Sequence, residues 1–280
     1  VRETLEVRVD EELARKFLEP GLGVPLGKTL RRVVLPTTDA RLQQIQEIQR
    51  EQQAKGKSFF IYWEIRRRYS GKELQAAELL RLMIQSGFEP PGAMCGTQYD
   101  ESSECPACGA GALQKSELIL NTRHVPKGKD IARTIAGEIV VSPRLVRALE
   151  QQGIRGAEYR PVMHKGRYGL EPSEWKQLII QSQPLLLSSK TLAGKGPFDL
   201  DEEGEYRCPR GHIAGLGLLS ELYVQRSSVE ESDWFRTDKG FGVRRGELRP
   251  EPKVLISQKL RQVLVDLKAK GFGLEVAHLT

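Results

Sequence analysis

The chain has 280 residues, 39% apolar and 29% charged, with 43 Lys and Arg against 37 Asp and Glu and a formal net charge of +6. That is enough apolar material for one large core or two, no apolar run has the length of a membrane span, and the opening residues lack the pattern of a secretory leader, so the cytoplasm is the expected compartment. Four cysteines exclude a disulfide-stapled scaffold, and the basic balance, with a pI of about 9.1 and both signs interleaved, admits nucleic acid as a partner without requiring it.

In chain order, Leu5 to Val9 alternates as a strand does, and Asp10 caps a short helix from Glu11 to Leu18. Gly21, Gly23, Pro25 and Gly27 follow at spacings that do not make a phosphate loop. Arg31 to Leu35 reads as a strand, and Thr38 or Asp39 opens a helix running to Ala54 with a narrow stripe of Leu42, Ile45 and Ile48. Ser58 to Ile65 reads as a largely buried strand. Ser70-Gly71-Lys72-Glu73 has the capping-box pattern and predicts a helix that carries Leu74, Ala77, Leu80, Leu82 and Met83 to about Gly87. Pro90-Pro91 then marks a boundary, so residues 1–90 are expected as an N-terminal α/β segment and 91–280 as a second domain.

The second domain opens on its most specific feature. Cys105-Pro106-Ala107-Cys108-Gly109 is a turn that puts two thiolates on one side, and Cys208-Pro209-Arg210-Gly211-His212 starts in the same way. A structural zinc takes four such ligands, which gives a Cys3His set of Cys105, Cys108, Cys208 and His212. Cys95, which also precedes a glycine, is a fifth candidate that would displace Cys208 or His212. A redox dithiol at Cys105 and Cys108 would need a helix start after it, and Gly109-Ala110-Gly111 is a poor one.

Further on, Ser116 to Asn121 reads as a strand, and Val125 to Lys129 as a linker. Residues 199–205 and 230–233 read as exposed acidic loops, with Trp234 beside the second. Tyr206 leads into Cys208, and Phe241 to Gly246 reads as a strand and turn. Two segments match one another: Ile139-Val140-Val141-Ser142-Pro143-Arg144-Leu145 to Gly156, and Val254-Leu255-Ile256-Ser257-Gln258-Lys259-Leu260 to Gly271. Each predicts a strand, a serine N-cap, a helix, a glycine stop and a second strand. The internal repeat spans 138–164 and 253–279. The fold class expected is α+β, with repeated strand–helix–strand units joined by a zinc-knuckle site after an N-terminal α/β segment.

On these residues the sequence resembles the double-CxxCG motif proteins of myxobacteria and other bacteria, over about residues 88–280. The resemblance is carried by the two cysteine turns, the Val-Ser helix starts and the closing Gly271-Phe272-Gly273-Leu274-Glu275-Val276-Ala277-His278 run. His212 stands where that family has a second cysteine, so its metal site carries over to Cys105, Cys108 and Cys208. The family includes immunity proteins that protect a cell from a toxin delivered by its kin. The resemblance therefore implies a non-catalytic protein that binds a toxin through its surface, for which 199–205, 230–233 and Trp234 offer contact loops. The densest basic spots are Arg66-Arg67-Arg68 and Arg244-Arg245, and nucleic-acid binding is the alternative, through Arg66-Arg67-Arg68, Tyr69 and the aromatics Phe59, Phe60, Tyr62 and Trp63. No enzyme motif is present, and His124, His164 and His278 have no partner that sequence supplies, so no enzymatic activity is expected.

Overall fold

The computed structural model describes residues 1–205, 207–213, 215–242 and 249–280. The fold is mixed α+β, with strands in the majority. Tyr206, Arg244-Arg245 and most of the strand and turn expected at 241–246 lie outside the described residues. The chain divides into two units: Val1–Gly71 with Gly194–Leu200, and Lys72–Ala193 with Asp201–Thr280.

The first unit is a four-stranded antiparallel sheet with two helices. Its strands β1 (Arg2–Asp10), β2 (Val24–Leu26), β3 (Leu30–Pro36) and β4 (Phe60–Arg68) lie in the order β2-β3-β1-β4. Along β1 the odd positions Leu5, Val7 and Val9 enter a core with Val33, Leu35, Ile45, Ile48 and Phe59. Helix α1 (Glu11–Phe17) starts where Asp10 accepts from the N–H groups of Glu12 and Leu13. Helix α2 (Arg41–Ala54) begins at Ala40 with no side-chain cap, although Asp39 accepts from the Arg41 N–H. The stripe on α2 is completed by buried Gln49, whose Oε1 accepts from the Phe59 N–H at 2.9 Å. The 58–65 strand is not largely buried. As β4 it belongs to a sheet with its core on one face, so the other face stays wet and Ile61 is 66% exposed.

Glu11 ties this unit together. Its carboxylate accepts from Arg31 at 2.7 Å and from Arg15 at 3.0 Å. The hydrogen bonds from Arg31 hold the carboxyl down at about 2, against burial, which pushes it up. An unfolded glutamate titrates near 4.3, so this contribution is complete above that pH and is lost as pH falls toward 2. Glu11→Gln should therefore flatten the acid limb of stability between about pH 4 and 2. The check is the urea midpoint followed by Trp63 fluorescence; identical acid limbs in the two proteins would contradict it.

The second unit begins ahead of Pro90. Helix α3 (Gly71–Ala76) stops after six residues, and Leu79 to Ile84 is a strand, β5, where the sequence pattern predicts helix. The reason is tertiary. β5 lies between two other strands, and its faces serve different cores: Leu80 and Leu82 enter one, Leu79 the other. After β5 come β6 (Gly87–Phe88), α4 (Gly92–Cys95), β7 (Tyr99–Asp100), β8 (Leu113–Gln114), β9 (Leu118–Leu120), β10 (Ile131–Thr134) and β11 (Ile139–Val141). Helix α5 (Pro143–Gln151) follows, then β12 (Ala157–Gly166) and β13 (Gly169–Ile180); the short β14 (Ala193–Gly196) and β15 (Asp199–Leu200) come next in the chain but fall, from Gly194 on, in the first unit. The chain ends with β16 (Gly217–Leu218), β17 (Leu222–Val224), β18 (Trp234–Phe241), β19 (Glu251–Ser257), α6 (Gln258–Asp266) and β20 (Phe272–Leu279).

Two larger sheets, a six-stranded one in the order β6-β10-β11-β13-β12-β9 and a five-stranded one in the order β17-β20-β5-β19-β18, are accompanied by the small β15-β14-β16 and β7-β8 sheets. In the first, β13 is antiparallel to both β11 and β12; in the second, β5 is antiparallel to both β19 and β20. Ser142 and Ser257 cap α5 and α6 by accepting from the N–H groups of Leu145 and Leu260, and Pro143 fills the first helical turn of α5. The helices end at Gln151 and Asp266, short of Gly156 and Gly271, so those glycines are not the helix stops. A β-carbon on Gly271 would collide with the Ile131 carbonyl, and one on Gly156 with Ser232 and the Trp234 carbonyl. Their role is close approach of two chain segments.

Two aspartates fasten these approaches. Asp130 accepts from the Ser142 hydroxyl and from the Lys270 N–H, both at 2.9 Å, and Asp233 accepts from the Ser257 hydroxyl at 2.6 Å and the Arg155 N–H at 2.9 Å. Each carboxylate thus joins the start of one helix to the strand entry after the other. Between them lies the core of Leu80, Leu145, Leu149, Trp234, Ile256, Leu260 and Leu264.

Candidate metal centre

The first cysteine turn is the tip of the β7–β8 hairpin. Tyr99 pairs with Gln114 and Asp100 with Leu113, and Asp100 is held by Lys115 at 3.1 Å and by the Ser102 N–H at 3.0 Å. Within the turn the N–H groups of Cys108 and Gly109 donate to the Cys105 carbonyl, and the Cys105 N–H donates to Ala110. Gly109 takes φ +73°, the left-handed conformation expected of it. The second turn precedes β16. There the Gly211 N–H donates to the Cys208 carbonyl at 2.7 Å and the Cys208 N–H to the His212 carbonyl at 3.0 Å. Gly211, at φ +77°, comes before its ligand rather than after it, and the longer imidazole completes what a second thiol does in the first turn. Ile213 and Leu216 anchor this turn in a small core with Phe241.

The two turns bring four side chains to one point. Cys105 Sγ lies 3.5 Å from Cys208 Sγ, and Cys108 Sγ lies 3.2 Å from His212 Nδ1. All four ligand atoms fall within 4.8 Å of one another, and the three cysteines are buried. All four cysteines of the chain are free, so none of these contacts is a disulfide. Burial pushes the Cys105 thiol up, but the N–H groups of Cys108 and Ala107, together with the Cys208 and Cys108 thiols, bring it down to about 6. Burial dominates at Cys108 and pushes it up to about 11. A cluster of three thiols and one imidazole, screened from water, with one sulfur readily ionised, can hold a metal ion.

Cys95 is not one of the four. It ends α4, buried, and the group that could bind a metal among the described residues is Cys105, Cys108, Cys208 and His212. The remaining histidines each have another partner. His124 Nδ1 meets the Glu89 carbonyl, His164 Nδ1 accepts from the Thr122 N–H, and His278 pairs with Glu221 at 2.9 Å while stacking on Tyr223.

The surfaces offered for contact are only partly available. Trp234 is fully buried, and Asp233 is the buried clasp residue, so the 230–234 stretch is not an exposed acidic loop at its C-terminal end. In the 199–205 stretch, Asp201 is buried against Arg207 at 2.8 Å. Phe59 and Phe60 are core. Tyr62 lies under the Arg8 guanidinium at 4.2 Å. Arg66 is shared by Glu6 and Glu64, and Arg67 is buried against Glu3 at 2.7 Å.

The aspartate clasp was missed by sequence reasoning, yet a signal was there. Asp-x-x-Arg-Thr occurs at Asp130–Thr134 and again at Asp233–Thr237, and Ser-Glu-Leu at Ser116–Leu118 and Ser220–Leu222. No protein-family model matches the chain, and a search of curated proteins finds nothing similar to it.

Proposed function

We propose that this chain is a non-catalytic binding protein built around one structural zinc, and specifically an immunity protein that neutralises a cognate bacterial toxin. The observation that carries the zinc is the Cys3His group. With zinc–sulfur bonds of about 2.3 Å, tetrahedral ligand atoms stand about 3.8 Å apart. The 3.5 Å and 3.2 Å separations found here need only a small expansion to accept the ion. Cys105, Cys108, Cys208 and His212 would fill all four positions, and a filled set leaves none for substrate. The metal is then a clamp between two turns that lie far apart in the chain.

The larger unit is best understood as two copies of one strand–helix–strand unit, each with its own metal turn. Supporting this are the matching caps, the matching aspartates and the two sheets. β13 sits inside the sheet of β11 and β12, and β5 inside that of β19 and β20. On that reading each copy lends a strand to the other or closes around it, and the metal joins the two turns.

The toxin as partner comes from the motif resemblance. The nucleic-acid alternative draws less support from Arg66 and Arg67, which are engaged by carboxylates. Affinity purification from the native host, at moderate salt, with mass spectrometry and absorbance at 260 nm, is the test. One stoichiometric protein companion, whose toxicity the chain suppresses in growing cells, is the expected result. Failure to protect against any neighbouring toxin, or nucleic acid released by a salt wash as the sole companion, would overturn it.

A further inference from the structure

A cavity of about 750 Å³ opens beside the start of α5, lined by Lys129, Asp130, Arg144, Arg147, Glu174, Lys176 and Lys270 among others. Five cations face two carboxylates there. One carboxylate is already used: Asp130 is buried and holds Arg144 through two hydrogen bonds of 2.6 Å. Lys129, Arg147, Lys176 and Lys270 are in no ion pair among the described residues.

The matching place beside α6 shows what the fold itself requires. There Asp233 makes the same clasp, with Lys259 at 4.0 Å, and Arg155 is neutralised by Glu231 at 2.5 Å. The clasp forms with its charges balanced. The surplus beside α5 is therefore not needed to hold the helix, and crowding like charges around one cavity opposes folding. Such an excess answers to an anion. The lining also says which kind. It has no aromatic side chain to stack a ring, and Pro143 is its one apolar side chain. What is recognised is charge, spread over a volume in the range of small-ligand sites. A single carboxylate would leave most of these cations unanswered, whereas adjacent phosphates present several charges and acceptors to Lys and Arg together.

We propose that the cavity formed by Lys129, Arg144, Arg147, Lys176 and Lys270 binds a small ligand bearing adjacent phosphates. This is independent of the toxin reading and of the metal, since no metal ligand lines the cavity.

Titration calorimetry on the metal-loaded full chain tests it with three probes: inorganic pyrophosphate, a nucleoside diphosphate and an oligoglutamate peptide of ten residues. One-to-one pyrophosphate binding that weakens as salt rises is expected. Arg147→Ala/Lys176→Ala should weaken it by about tenfold or more, and Lys129→Glu should do the same alone. Lys259→Ala, beside α6, should leave it unchanged. Both variants spare Arg144, which holds Asp130, and near-ultraviolet circular dichroism confirms that they fold. Equal affinity for pyrophosphate and nucleoside diphosphate assigns recognition to the phosphates alone; tighter nucleoside diphosphate binding, lost in the same variants, names a nucleotide as the source. No binding, binding unaffected by these variants, or an oligoglutamate bound as tightly as pyrophosphate would each overturn the proposal.

Discussion

If the Cys3His group holds zinc as proposed, Cys208→Ser should strip the chain of that metal and loosen the larger unit from the two turns outward. A serine hydroxyl does not ionise to replace a thiolate, and three remaining ligands hold zinc far more weakly than four. The cost has two parts. The turn at Cys105 loses its tie to the turn at Cys208, and closing so long a loop is worth about 4–5 kcal/mol in the chain-entropy picture. The buried Cys105 and Cys108 sulfurs also lose the cation that would neutralise them. Metal per chain should fall from one to less than a tenth, read by elemental analysis after purification without chelator. Amide exchange should accelerate first in residues 95–215, where both turns lie, and last in Val1–Gly71, which has its own core. Cys95→Ser, by contrast, should keep its full metal content, because that thiol lies outside the group. Retention of metal by Cys208→Ser, or equal loss of protection along the whole chain, would contradict this account.

Asp130→Ala should be the most damaging single change away from the metal. The carboxylate is buried and satisfies four donors at once: the Ser142 hydroxyl, the Lys270 N–H and two nitrogens of Arg144. Removing it leaves the Ser142 hydroxyl and the Lys270 N–H without their acceptor, while half-exposed Arg144 turns to water, so the cost is about 2–3 kcal/mol. Asp233→Ala likewise leaves the Ser257 hydroxyl and the Arg155 N–H without their acceptor, but its cation, Lys259, stands 4.0 Å away, so its cost should be smaller by about 1 kcal/mol. Urea denaturation followed by Trp234 fluorescence measures both. The pH dependence gives a second reading. Burial pushes the Asp130 carboxyl up, but Arg144, the Lys270 N–H and Ser142 outweigh it and hold it below the ordinary range. Its contribution is therefore complete above about pH 4 and is lost as pH falls through the lowered folded value. Asp130→Ala should lose less stability on acidification than the natural chain does. Equal costs for the two aspartates would mean that the Arg144 pair contributes nothing.

Much of what could be read early was local. Asp10, Ser142 and Ser257 announce helix starts because a cap acts within three residues of itself, and all three cap as their sequence context implies. The metal turns were legible for the same reason: Cys-Pro-x-Cys-Gly fixes the geometry of its own thiols, and His212 stood at the right distance from Cys208 to finish the set. What composition and spacing could not decide were questions of which faces would be covered. Leu79 to Ile84 continues a helical spacing begun at Leu74, and becomes a strand because two other strands flank it and two cores claim its opposite sides. Trp234 follows four polar or acidic residues and looks exposed, yet Asp233 turns inward to accept from Ser257, the cap of α6, and the indole beside it enters the core. Ile61 looks buried, and is not, because it lies on the face of its sheet that no core covers.

The short-range parts, namely caps, turns, the ligand types and the two similar strand–helix segments, follow from local residues. Tertiary structure alone decided that β5 and β13 enter different sheets, that Cys95 stays outside the metal group, and that one aspartate clasp carries a surplus of positive charge while the other does not. The physical reason is range. Caps and cysteine turns are settled by contacts a few residues long, whereas burial, pairing and charge balance depend on groups more than a hundred residues away, such as Asp130 and Lys270.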